Sequence, residues 1–108
     1  MTLKDIIWFE SCDSTMDICH RFASITKKEL SIGAFSQLKG RGTKNRSWVS
    51  PKGNVFLSFL LHPNPLKVHI IHMLGTLAIY EFLNQNYHFD NISLKWPNDV
   101  MIQGKKIS

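Results

Sequence analysis

Cysteine is scarce in this chain of 108 residues. Cys12 and Cys19 are too few for a disulfide-stapled scaffold, and they lie at no metal-ligand spacing. Reduced thiols are therefore expected. Long hydrophobic runs are also missing: no stretch approaches the length of a membrane span, and the opening MTLKDIIWFESCD sets acids around a short apolar run instead of building a signal sequence. These absences lead us to expect a soluble, cytoplasmic protein with no membrane partner. Low-complexity segments, repeats and Pro- or Gly-rich linkers do not occur. Histidine is more plentiful, but His69 and His72 have no nearby Cys or acid to complete a metal site, so no metal ligands are assigned.

Acidic residues are in the minority, at 8 against 13 Lys and Arg, which leaves a formal net charge of +5. The cations cluster. Lys39, Arg41, Lys44, Arg46 and Lys52 fall close together, and Lys95, Lys105 and Lys106 form a second group. This balance favours anionic partners, and charge alone leaves nucleic acid, nucleotide and acidic protein open.

Hydrophobic content of 44% suits one small domain, or a piece of a larger one. IIWFE at 6–10 reads as a first strand. Ser14 followed by Asp17 forms a capping-box pattern, and Ile18, Phe22 and Ile25 continue at helical spacing, which predicts a helix over 15–25. SIGAFSQL at 31–38 predicts a second strand. NVFLSFLLH at 54–62 predicts a third, apolar enough to be covered on both faces. Residues 66–85 predict a long core-facing helix through Ile71, Leu74, Ala78 and Phe82, with Gly75 marking close packing. NISLKW at 91–96 is a further strand, Pro97, Asn98 and Asp99 turn the chain into VMI, and Gln103-Gly104 forms a tight turn into KKIS. The pattern is α+β, with a mixed, largely antiparallel sheet. The final run reads as a strand just beginning, whose open edge implies a fragment or a sheet completed by another chain.

The basic loop GRGTKNRSW at 40–48 poses the chemical question. Gly40 and Gly42 can adopt positive φ and bring backbone N–H groups to an anion. Arg41 offers a planar fork for carboxylate or phosphate, and Trp48 can stack on a heterocycle. A solvated surface loop ending in a core Trp explains the same composition. The G-x-G is not followed by a P-loop or a dinucleotide fingerprint.

A second stretch, KWPNDVMIQGKKIS at 95–108, narrows the choice. Together with Ser14-Thr15, the Q-x-x-G-R-G of 37–42 and the W-x-S-P of 48–51, it resembles the biotin–protein ligase family over nearly the whole chain. Lipoate ligases share the superfamily but differ where KWPND stands. The resemblance implies a fold related to class II aminoacyl-tRNA synthetases, with helices on one side of the sheet. It also implies a two-step reaction in which ATP converts biotin to biotinyl-5′-AMP and a lysine of a biotin carboxyl carrier protein then attacks the anhydride. Two anions must meet in the first step, so Arg41 and Lys106 are the expected catalytic cations, with Mg²⁺ on the triphosphate. Carried over by position, Ser14, Thr15, Met16, Gln37, Arg41, Gly42, Thr43 and Lys106 are expected at biotin, and Gly40, Arg41, Trp48, Asn98 and Lys106 at ATP or the adenylate. Lys95 and Asp99 match the signature as architecture.

Met16 stands where many members have Asn, and Thr43 where many have Arg. The loss of a cation at 43 is expected to loosen retention of the adenylate. The resemblance corresponds to the N-terminal part of the catalytic domain. The C-terminal part and the small β domain that usually follows are expected to be absent, and so is a DNA-binding helix-turn-helix. The isolated chain is therefore expected to ligate poorly or not at all. A non-catalytic remnant and a basic nucleic-acid-binding module are the alternatives, and a homodimer is left open.

Overall fold

The computed structural model describes residues 5–108. The chain divides into two compact units, one ending at His62 and the other Pro63–Ser108.

The first unit is a three-stranded sheet in the order β1-β2-β3, formed by β1 (Ile6–Phe9), β2 (Leu30–Ala34) and β3 (Phe56–Leu60). The β-branched and aromatic residues of β1 run parallel to β2, with Ile7 opposite Ile32 and Trp8 opposite Gly33. A parallel pair needs a crossover, and α1 (Thr15–Ala23) supplies it. β3 returns antiparallel, with Ala34 opposite Phe56 and Ile32 opposite Ser58. The central strand carries the core: Ile32 and Ala34 are buried, and α1 packs over β2 and β3. On the other face the Trp8 ring lies over Gly33, where an added Cβ would come within 2.6 Å of it. Trp8 also stacks on Phe35, with ring centroids 5.3 Å apart.

Three expectations for this unit need correction. Ser14 has the extended backbone of an N-cap, but its side chain makes no capping bond, and Asp17 pairs with Arg41 instead of closing a capping box. The start of the helix is met from another segment, as described below. α1 ends at Ala23, two residues short of Ile25. β3 is not covered on both faces: it is an edge strand, and Phe59, on the face away from α1, stays 42% exposed.

The second unit opens at Asn64, whose side-chain oxygen accepts from the Leu66 N–H at 3.0 Å. A 3-10 turn over Pro65–Ile70 follows, and then α2 (Ile71–Asn86). Strands β4 (Ile92–Lys95), β5 (Asp99–Ile102) and β6 (Lys105–Lys106) form an antiparallel meander. The Trp96-Pro97 bond is cis. Gln103 and Gly104 take φ of 52° and 76°, the left-handed pair that a two-residue hairpin requires. β5 carries the buried Val100. The final segment is not an unpaired strand start, because Val100 donates to the Ser108 carbonyl and accepts from the Ile107 N–H, both at 2.9 Å.

α2 is not the buried helix that its spacing predicts. It packs on β4 and β5, yet none of its residues is buried, Leu74 and Phe82 remain more than half exposed, and a Cβ on Gly75 would meet nothing within 4 Å. Its apolar residues run around the helix and are not confined to one stripe, so two short strands cover only part of them. By length and composition alone, the 22-residue helical run Pro65–Asn86 is also apolar enough to cross a membrane, which corrects the expectation that no stretch approaches that length. Lys67, His69 and His72 interrupt the run, but its mean hydropathy stays high.

Candidate active site

Gln37 organises the first unit's polar centre. Beyond the end of β2 it forms a parallel bridge with Cys12 and an antiparallel bridge with Ser50, so three segments meet at one residue. Leu38 and Lys39 extend the junction by donating to the carbonyls of Cys12 and Asp13 at 2.9 and 2.8 Å. The Gln37 Oε1 accepts from the Thr15 backbone N–H at 2.8 Å and from its hydroxyl at 3.1 Å. Its Nε2 donates to Ser50 Oγ at 3.1 Å, and Ser50 Oγ donates to the Trp48 carbonyl at 3.0 Å. Thr15 Oγ1 also lies 2.7 Å from Ser58 Oγ. Ser14, Thr15 and Ser50 are buried, where a satisfied network is rigid and an unpaired group is costly. Thr15 and Gln37, expected as separate ligand-binding groups, are bonded to each other.

The basic loop is a small hydrogen-bonded hairpin. The Trp48 N–H donates to the Gly40 carbonyl at 2.8 Å, Arg41 bridges Ser47, and the Gly42 N–H donates to the Arg46 carbonyl at 2.6 Å. A single turn at the tip, Thr43–Asn45, carries the positive φ angles, on Lys44 (57°) and Asn45 (58°). Neither Gly40 nor Gly42 adopts one, so the expected role of these glycines is corrected. Gly40 is required by close approach: a Cβ there would lie 2.4 Å from both Ser50 Oγ and the Trp48 carbonyl. The Gly42 N–H is engaged within the hairpin.

The hairpin and the Gln37 junction enclose a cleft of about 540 Å³, whose lining includes Asp17, Gln37, Gly40, Arg41, Arg46 and Trp48. Arg41 Nη2 is ion-paired with Asp17 Oδ1 across this cleft. Ser14 faces a neighbouring cleft of about 490 Å³ with Cys12 and Ile18, and Asp17 lines both. Thr15, Met16, Gly42 and Thr43 line neither cleft; Met16 is about half exposed and Thr43 sits at the hairpin tip. The structure thus brings Gln37, Gly40, Arg41 and Trp48 together and sets Ser14 beside them. Lys106 and Asn98 belong to the second unit. There Lys106 Nζ lies 3.2 Å from Asp99 Oδ1, and Asn98 stands exposed in the turn between β4 and β5.

Sequence reading missed Ser50, Ser58 and Asp17 as parts of this site. A serine inside the apolar run NVFLSFLL was the available signal for Ser58. Burial, followed by the charges of Asp13 and Asp17, raises the Cys12 thiol above its ordinary value, and burial raises Cys19. Among the described residues, no three His, Cys, Asp or Glu side chains gather as a metal site.

A sequence profile of the Biotin/lipoate A/B protein ligase family matches residues 8–108. Biotin–protein ligase 2 of Arabidopsis thaliana is 31% identical over 109 residues, covering 94% of this chain and 33% of the relative. The crystal structure of biotin protein ligase from Leishmania major in complex with biotinyl-5-AMP superposes with a TM-score of 0.82 at 28% identity, over 96% of this chain and 49% of that one. Biotin protein ligase from Aquifex aeolicus in complex with biotin and ATP gives 0.67 at 34% identity, over 96% and 44%. The chain therefore spans about half of these solved relatives and 33% of the Arabidopsis protein. With a profile match over nearly its whole length, and the α+β fold with mixed sheets that these ligases share, the chain belongs to the Biotin/lipoate A/B protein ligase family.

Proposed function

We propose that this chain contributes the biotin- and adenylate-binding part of a biotin–protein ligase. In the first step a biotin carboxylate oxygen attacks the α-phosphorus of ATP, the bond to the β-phosphate oxygen breaks, and pyrophosphate leaves with the electron pair. In the second, the amine of a carrier-protein lysine attacks the carbonyl of biotinyl-5′-AMP, AMP leaves, and the nitrogen loses a proton.

The observation that carries this reading is one cleft lined by Arg41 and Trp48 together with Gln37 and Gly40, in a chain matched by the family over 8–108. Repulsion between carboxylate and phosphate opposes the first step, and a fixed cation there favours the transition state over the separated anions. Arg41 is assigned that role, and the family resemblance proposes Lys106, in the second unit, as a further cation. Trp48 offers an aromatic surface to the adenine. Burying the anhydride under the hairpin would protect it from water. The Gln37–Thr15–Ser50 network holds the cleft wall in place and leaves one Nε2 hydrogen of Gln37 for a ligand.

Calorimetry with biotin, with and without ATP, tests binding, and pyrophosphate release tests the first step. Biotin binding that tightens with ATP, and that Arg41→Ala and Lys106→Ala each weaken, supports the reading. Salt-sensitive oligonucleotide binding without biotin binding overturns it.

A further inference from the structure

Arg41 is already occupied by an anion. Its guanidinium pairs with the Asp17 carboxylate, 24 residues away in sequence, and both line the same cleft. A carboxylate is also the reactive group of the proposed substrate, and it takes the same donor fork. We propose that Asp17 is an internal competitor for Arg41: its carboxylate holds the guanidinium in the unliganded chain and is displaced when an anionic ligand enters. Asp17 is then a positioning residue that sets how strong an anion must be to gain the site. The proposal rests on the ligase reading for the identity of the ligand.

Two further observations support exchange over a structural role. Asp17 lies in the first turn of α1, where an acid would ordinarily cap, but the Thr15 N–H is met by Gln37 and no side chain caps at Ser14. Both side chains of the pair are also 41% exposed, so water screens the pair and it opens at small cost. A ligand that must displace a partner binds with its intrinsic affinity reduced by the fraction of sites that are open. For an exposed ion pair that fraction predicts a change of about two- to fivefold. Because Asp17 also lines the cleft beside Ser14, its released carboxylate would face that side and disfavour a second anion there.

The test is calorimetry on the full chain with two probes, inorganic pyrophosphate and biotinyl-5′-AMP, for wild type, Asp17→Asn, Arg41→Gln and the double variant. Asp13→Asn serves as a control for charge alone, and circular dichroism checks each fold. Asp17→Asn is expected to bind both probes about two- to fivefold more tightly, a gain that a structural residue would not yield. The gain should vanish in the Arg41→Gln background and exceed that of Asp13→Asn, and Asp17→Glu should bind as wild type does. Equal affinities for wild type and Asp17→Asn, or an equal gain with Asp13→Asn, overturn the proposal. Should Asp17→Asn misfold, Asp17→Ser takes its place: tighter binding that Arg41→Gln abolishes supports the proposal, and wild-type affinity, or a gain that persists with Arg41→Gln, overturns it. Tighter pyrophosphate without any binding of biotinyl-5′-AMP keeps the competitor and sinks the ligase reading. Biotinyl-5′-AMP binding that is indifferent to Asp17 does the reverse.

Discussion

The Gln37 side-chain oxygen closes the N-terminus of α1 by accepting from the Thr15 backbone N–H at 2.8 Å. A residue beyond the end of β2 thus does the work of a helix cap, while its amide nitrogen holds Ser50 and through it the base of the basic hairpin. Gln37→Ala leaves the buried Thr15 and Ser50 groups short of partners. It is expected to lower stability by about 1–3 kcal/mol, read from urea denaturation, and to weaken biotin binding in the same protein. Gln37→Glu keeps an acceptor for Thr15 and loses the donor to Ser50, so its loss should be smaller.

Gly40 and Gly42 are two residues apart and should respond differently to alanine. At Gly40 a Cβ meets the Trp48 carbonyl at 2.4 Å, and backbone cannot rotate out of the way as Ser50 can. Gly40→Ala is expected to cost about 1–3 kcal/mol and to open the hairpin. At Gly42 the nearest atoms are 3.7 Å away, an ordinary contact, and its φ of −97° suits alanine. Gly42→Ala should stay within about 0.5 kcal/mol of wild type. Equal losses at the two positions would contradict this account.

Thr43 sits at the exposed tip of the hairpin next to Lys44, whose left-handed backbone fixes the turn. Adding a cation there through Thr43→Arg is expected to slow release of biotinyl-5′-AMP, measured by filter retention or stopped flow. Equal release rates would mean that the lysine already serves, or that the tip does not reach the ligand.

The two thiols impose a pH dependence. Burial and the neighbouring acids raise Cys12, and burial raises Cys19, above the ordinary value of 9.0, so the folded chain holds these protons after the unfolded chain has lost them. Their contribution to stability is complete below that value and declines as pH rises above it. The urea midpoint should fall more steeply as pH rises above 9.0 in wild type than in a Cys12→Ala, Cys19→Ala double variant. Parallel profiles would refute it.

Much of the fold was legible in the sequence. β-branched and aromatic runs placed β1, β2, β3 and β4, and Gln103-Gly104 announced its hairpin, because these signals depend only on a residue's own backbone preferences and its immediate neighbours. The composition of the basic loop and KWPND marked the family in the same local way. Partner choice was not legible. Whether Asp17 caps a helix or pairs with Arg41, whether Gln37 waits for a ligand or closes α1, and whether the apolar residues of α2 are covered all depend on which segments lie against them. Glycine shows the distinction most sharply: Gly40 was read as a source of conformational freedom, but it is needed because two other segments leave no room for a side chain. Sequence alone determined the elements and the chemistry available to them. Only the tertiary structure decided which polar groups satisfy one another, because a hydrogen bond or ion pair is a property of distance between segments and no single segment encodes it.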